Sequence, residues 1–425
     1  MSQSVAASNA CAVTTRAPRR TPSRVLYVSA APPVPSKIGP ARRNFHIIDQ
    51  LARFYDVSVL SLGSERHAAM FGEAFRARVP RAHFAPYRGG TRQNFARKVW
   101  RTLANRCDFG PTREPALRRL CGEVAGDGAF DAIVLSSVLL RGLPLPAGVP
   151  IVGDTHNVEF DVLRRTAGSA DAWGRRAYAS AQWRATRREE SRAARGVDLL
   201  MATSERDARV FGDELAVSDV EVVPNGIDLA EFAPASRAGQ PGVILFSGLM
   251  SYYPNQQAVR WFLDRVFPTV LRHVPGATLV VAGAAPPRWL LDRAGARLRV
   301  TGAVPDMRPF LEEASVFVAP LRIGGGTRVK ILEAQAVGRP VVSTAIGAEG
   351  LMARHGESIL ISDDPDVFAG HVRDVLTDDG LAGRIADEGR RGVVRHYDWN
   401  HIGDHMQRLL QRRAGLVARP DAPPR

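Results

Sequence analysis

VFVAPLRIGGGTRVKILEAQAVGRPVVST, residues 316–344, decides how the rest of the chain is read. A short β-branched run ends at Pro320, so 316–319 reads as a buried strand. Gly324, Gly325 and Gly326 follow, and a helical apolar pattern opens near Thr327. Glycines let backbone N–H groups approach an anion closely, and a helix N-terminus adds roughly half a positive charge. Arg322, Arg328 and Lys330 add full charges, and Glu333 lies about one turn beyond Lys330. A diphosphate at the glycines and a ribose diol at the carboxylate would use this arrangement. The plain alternative is a glycine turn on an arginine-rich surface, with an i,i+3 Lys330–Glu333 pair worth about 0.2–0.5 kcal/mol. Neither G-x-x-x-x-G-K-[ST] nor a strand-linked G-x-G-x-x-G occurs, so a P-loop or dehydrogenase reading has no support.

Outward from this stretch, short β-branched runs alternate with longer helical patterns, the mark of a parallel sheet covered on both faces. In the first half the runs are 24–29, 57–62, 132–136, 150–153, 199–203 and 220–223; in the second, 243–247, 277–282, 297–301, 316–319, 340–343 and 358–361. Each set predicts a doubly wound domain, with the boundary at the turn residues Pro224, Asn225 and Gly226. In such sheets ligands sit outside the carboxyl ends of the strands. Three more junctions qualify. After 243–247 come Gly248 and a helix starting beyond Pro254; after 150–153 come Asp154, His156, Asn157 and Glu159; after 24–29 comes a Pro/Gly loop reaching Gly39.

The chain has 425 residues, 45% hydrophobic and 24% charged, which suits two globular domains and excludes global disorder. No apolar run approaches the ~20 residues of a membrane-spanning helix. Net charge is +14, and only Lys37, Lys98 and Lys330 are lysines. A pI near 10.6 points to an anionic partner: nucleic acid, acidic membrane or a phosphorylated ligand. Cys11, Cys107 and Cys121 have neither metal-ligand nor disulfide-framework spacing, which suits a reducing compartment. Residues 1–23 read as a disordered tail, although their acid-poor, Arg-containing composition also resembles a transit peptide; 416–425 reads as a frayed terminus. Two arginine-dense stretches, 76–119 and 163–196, are interleaved with aromatics. Solvated surface and docking on an anionic membrane are the leading readings, and nucleic-acid binding is disfavoured because no recognised module accompanies the charge.

At FSGLMSYYPN (246–255), PDMRPFLEEASVFVAPLRIGGGTRVKILEAQAVGRPVVSTAIGAEGL (305–351) and VVRHYDW (393–399), the second half resembles the donor-binding domain of a family 4 glycosyltransferase. GDTHNVEFDVLRR (153–165), MATSERDARVF (201–211) and VEVVPNGID (220–228) are similar to the same family in the first half. The resemblance spans about residues 24–412 and is strongest to bacterial exopolysaccharide and surface-polysaccharide enzymes. It implies an α/β, GT-B fold: two doubly wound Rossmann-like domains facing across a cleft. The acceptor-binding domain would be 24–223, the donor-binding domain 224–397, and the helix 398–415 would cross back to the first.

The resemblance also implies site roles. Glu333 matches the second glutamate of the family's E-x7-E motif, which holds the ribose hydroxyls. The first glutamate would fall at Gly325 and is absent. The family's Gly-Arg and downstream Lys are also missing: Gly248 is followed by Leu249, and Asn255 stands near the lysine position. Phosphate charge is therefore expected from Arg322, Arg328 or Lys330, beside the amides of 324–326 and Thr327. His156 matches a histidine facing the transferred sugar, and Gly39, Asp154 and Asn157 are expected at the acceptor cleft. The implied activity is retaining transfer from a UDP- or GDP-sugar to a glycan or lipid-linked acceptor, without metal or cofactor. The expected location is cytoplasmic, with peripheral contact to anionic membrane. A nucleotide-sugar epimerase and a non-catalytic nucleotide-sugar-binding paralogue are the alternatives.

Overall fold

The computed structural model describes residues 21–34, 39–86, 107, 109, 111–127, 129–169 and 173–420. The expected tail up to residue 20, half of the basic stretch 76–119, and 421–425 lie outside the described residues.

Two parallel sheets organise the chain. The first contains β1 (Arg24–Ser29), β2 (Asp56–Leu62), β3 (Arg81–Ala85), β4 (Ala132–Leu135), β5 (Ile151–Asp154), β6 (Leu199–Ala202) and β7 (Val220–Val222), in the order 3-2-1-4-5-6-7. The second contains β8 (Val243–Ser247), β9 (Thr278–Ala282), β10 (Leu298–Gly302), β11 (Val316–Ala319), β12 (Val341–Ser343) and β13 (Leu360–Ile361), in the order 10-9-8-11-12-13. All twelve predicted runs are strands. The unforeseen one is β3, RAHFA, an edge strand whose mixed polarity hides it among the arginines.

The strands read as continuous apolar runs because both faces are covered. Ile244 and Phe246 of β8 point into one core layer, while Leu245 joins the opposite layer with Phe317 of β11 and Ile331. The strand order reverses between β1 and β4 and again between β8 and β11. At such a reversal adjacent loops diverge and leave a crevice. The second-half crevice is therefore flanked by the loops that follow β8 and β11, which carry Gly248 and residues 324–326.

The helix Trp399–Ala414 returns to the first half. Trp399, Ile402, Met406, Leu409 and Leu410 join the core containing Ile47, Ile48 and Leu51 of the helix Gly39–Phe54. Gly415, at φ +64°, ends it in the left-handed conformation favoured at a helix terminus. The chain beyond is not frayed as far as Arg419. Leu416 is buried, Ser23 N–H donates to Val417 O at 2.9 Å, and Arg419 N–H donates to Phe54 O at 2.7 Å. Short tails can be held by backbone pairing that composition does not reveal.

The crossover meets the turn at 224–226. A Cβ on Gly226 would stand 2.6 Å from the Trp399 ring, and His46 stacks on that ring at 4.9 Å. Trp399→Ala removes a buried ring touching both the turn and the first helix. We expect a loss of about 3–5 kcal/mol, read as a lowered denaturation midpoint of the first half.

Candidate functional site

The site lies where the loops after β8 and β11 face the loop after β5. Gly326 has φ +69°, and a Cβ there would stand 2.5 Å from His156 O. A Cβ on Gly325 would meet Val162 at 2.7 Å. Thr327 Oγ1 donates to Thr203 O at 3.1 Å. The glycine loop of the second half is thus pressed against the first half, and its residue types are required by backbone proximity. A side chain at Gly325 would have to displace the Val162 methyl group.

The charged residues divide into two groups. Arg328, expected at phosphate, is buried and turned inward. It donates to Gly325 O, to Gly326 O at 2.6 Å and to Ile346 O at 3.3 Å, so it holds the loop's carbonyls. Arg322 is exposed, its guanidinium 5.9 Å from the centre of the Trp261 ring. Lys330 instead points to the loop after β8. Its Nζ donates to Ser247 O at 2.6 Å and Asn255 Oδ1 at 3.0 Å, and lies 4.5 Å from the Phe246 ring centre. A Cβ on Gly248, whose φ is +153°, would fall 2.7 Å from that Nζ. Burial, with Arg328 adding repulsion, lowers the Lys330 ammonium to about 7. Lys330 and Glu333 are therefore not an i,i+3 pair. Glu333 pairs with Arg42 of the first helix, and burial raises its carboxyl above the ordinary value.

On the first-half side, burial lowers the His156 imidazole to about 4, so the ring is neutral near pH 7. Asn157 Nδ2 donates to Glu159 Oε1 at 3.2 Å. Glu190 accepts from the N–H groups of Glu159 and Phe160, and burial together with Glu159 pushes its carboxyl to about 8. Gly39 opens the first helix. Asp154, expected to line the acceptor cleft, is fully buried instead. Its partner Arg43 uses all five guanidinium N–H groups: two reach Asp154 Oδ1 at 2.6 and 3.1 Å, and three reach Val223 O, Pro224 O and Asn225 Oδ1 at 2.8–3.1 Å. A carboxylate under the cleft floor thus fixes the turn between the halves.

Further residues join the halves unannounced by local pattern. Arg165 binds Glu349 through two hydrogen bonds of 2.6 and 2.9 Å and also reaches Gly324 O at 3.3 Å, while Asp161 pairs with Arg164, Arg165 and Arg206. Tyr252 is exposed at the start of the helix that follows the β8 loop. The one sequence signal for Arg42 and Arg43 was an arginine pair in the first turn after the loop that follows the central strand β1. Among the described residues no three His, Cys, Asp or Glu side chains gather as metal ligands, and no helix is long and apolar enough to cross a membrane.

Two facing Rossmann-like halves with a crossing terminal helix are the GT-B fold. Two family models match, one in each half: Glycosyltransferase Family 4 over residues 39–231 and Glycosyl transferases group 1 over 241–378. Between them the two models cover most of the chain and mark it as a family 4-like glycosyltransferase. The Mycobacterium tuberculosis phosphatidyl-myo-inositol mannosyltransferase is 30% identical over 227 residues, covering 50% of this chain and 59% of that protein. The chain thus spans less than two thirds of the length of the curated relatives first matched. Sucrose-phosphate synthase from Thermosynechococcus elongatus superimposes with a TM-score of 0.68 at 14% identity, covering 92% of this chain and 98% of that one. Anabaena HepE in complex with UDP-glucose gives a TM-score of 0.64 at 14% identity, covering 92% and 100%.

Two outcomes follow from this geometry. Because Lys330 loses its proton near pH 7, its attraction for a diphosphate is full below that value and is lost above it. UDP or GDP affinity measured by calorimetry is expected to fall as pH rises, and Lys330→Met to flatten that dependence. Gly325→Glu restores the family's first glutamate in sequence but collides with Val162. It is expected to reduce donor turnover by about tenfold or more, on the order of 1.4 kcal/mol, in a steady-state assay.

Proposed function

We propose that the protein is a retaining glycosyltransferase that moves a sugar from a UDP- or GDP-sugar to a glycan or lipid-linked acceptor. The observation carrying this reading is the convergence of Lys330, Asn255, Gly248 and the 324–326 loop at the β8/β11 crevice, with Glu333 one turn away and His156 opposite. Family membership and a similarly folded protein holding UDP-glucose support the donor class. A relative named for mannosylating phosphatidyl-myo-inositol supports a lipid-borne acceptor. The helix Trp173–Ala194, headed by Trp173 at 84% exposure and rich in arginine, suits peripheral contact with anionic membrane on the cytoplasmic side. Surface or exopolysaccharide synthesis is the setting we favour.

In this reading the anomeric C–O bond breaks and negative charge grows on the departing diphosphate. Loop amides and Lys330, already oriented, stabilise that charge without a metal ion. Glu333 accepts hydrogen bonds from the ribose hydroxyls. Neutral His156 faces the transferred sugar and offers a hydrogen bond without adding charge against the oxocarbenium-like carbon. The acceptor hydroxyl attacks from the leaving-group face, which retains configuration.

Incubation with UDP-, GDP- and ADP-sugars, read by mass spectrometry, tests this. Released nucleotide with glycosylated product or free sugar supports transfer. An isomeric nucleotide sugar would make the protein an epimerase, and binding without turnover a non-catalytic paralogue. Glu333→Ala is expected to cut turnover by a factor on the order of a hundred or more while the thermal transition is retained. Near-native turnover would remove Glu333 from the site.

A further inference from the structure

The carboxylate assigned to the ribose does not stand alone. Arg42, on the first helix of the opposite half, pairs through Nη1 with Glu333 Oε1, and its Nη2 lies 3.5 Å from Glu231 Oε2. Its guanidinium also stands 5.2 Å from the centre of the Phe232 ring. The side chains of Arg42 and Glu333 are each only 14% exposed, so the pair is shielded from the screening that makes surface pairs weak.

We propose that Arg42 is the positioning residue of the donor site, reaching across the cleft to orient the Glu333 carboxylate for the ribose hydroxyls. This rests on the donor-site reading above and adds that the ribose subsite is incomplete without the first half. The charged groups facing Glu333 are Arg42 from the first helix, Glu231 from the segment after the interdomain turn, and Lys330 from its own helix. Lys330 is held by Ser247 O and Asn255 Oδ1, and Glu231 repels a carboxylate. Arg42 is thus the cation in contact with Glu333, and it engages Oε1 while leaving Oε2 as an acceptor. Two vicinal hydroxyls donate two hydrogen bonds, which an ionised carboxylate receives and a protonated one receives poorly. Burial and Glu231 both favour protonation, whereas Arg42 opposes it.

Removing Arg42 takes away the cation that favours the ionised Glu333 carboxylate, so nucleotide binding should weaken more as pH falls. A residue that only clamped the halves would give a loss independent of pH. The test is calorimetric titration of the full chain with UDP and GDP at about pH 6 and about pH 8.5. Each variant is expressed as a ratio to wild type at the same pH. Arg42→Met is expected to lose about tenfold or more at the lower pH and less than about threefold at the higher. Arg42→Lys, which keeps the charge, should stay near wild type, and Arg42→Gln takes the place of Arg42→Met if the methionine variant does not fold. In a Glu333→Gln background, Arg42→Met should add little further loss at either pH. A ratio that does not change with pH, or losses that simply add in the double variant, overturns the proposal. If Glu333→Gln alone binds nucleotide like wild type, the ribose assignment itself falls. If Glu333→Gln weakens binding while Arg42→Met matches wild type at the lower pH, only the role of Arg42 falls.

Discussion

The geometry of the site depends on one close approach: the backbone of residues 324–326 lies against His156 and Val162 with no room for a Cβ at 325 or 326. That contact brings the end of β5 in one half to the end of β11 in the other. Without it the amides of the loop would face open solvent, where water competes for any anion and weakens each interaction. With it, the backbone of His156 lies beside the loop that leads into the helix Val329–Ala336. The clasp is reinforced on both flanks, by Thr327 to Thr203 and by Arg165 to Glu349 and Gly324. Interdomain surfaces of this polar kind hold less firmly than an apolar core.

The large arginine excess suggests an anionic partner when read as composition. Within the structure some of these arginines serve a different purpose. Arg43, Arg328 and Arg339 are buried, and each aims its guanidinium at carbonyls or a carboxylate of its own chain. A planar fork with five fixed donors can close a loop in this way and stays charged in doing so. Lysine cannot match that geometry, but its proton affinity responds to surroundings. Only three lysines occur in the sequence, and Lys330 stands beside the crevice with a pKa brought near neutrality. Among these residues arginine serves where geometry must be fixed, and Lys330 stands where a cation can change its charge.

This division explains what the sequence could and could not disclose. The strands were legible because burial on both faces demands unbroken apolar runs, as at VLYV in β1 and VFVA in β11. The glycine loop was legible as a close approach, but not what it approaches, since His156 lies some 170 positions earlier in the chain. Arg328 and Lys330 are two residues apart and equally basic, yet one folds back over its loop and the other reaches Asn255. Helical phase places them on different sides, but only the neighbouring β8 loop decides which side is the crevice. Arg42 and Glu333 are 291 positions apart, and Arg43 meets Asn225 across 182, so spacing within either segment carries no trace of the pairing. Asp154 was misread for the same reason: a carboxylate after a strand looks accessible until the arginine covering it is found.

The loss of the family's two basic positions after β8 is best understood in space. Position 249 is leucine and position 255 asparagine, so the loop has no cation of its own. Lys330 enters from the neighbouring helix, and its Nζ comes within 3.0 Å of the Asn255 amide oxygen. Asn255 in turn donates to Leu249 O at 2.9 Å, which fixes the amide so that its oxygen faces the ammonium. A shorter polar residue at 255 therefore makes room for a cation and orients it, where a second lysine would repel it. The electropositive end of the crevice is preserved by a side chain that approaches from another direction. Such an exchange keeps a positive charge beside the β8 loop while leaving no positional match in sequence. Charge at a site of this kind is better sought by asking which side chains can reach it than by which residues occupy the expected columns.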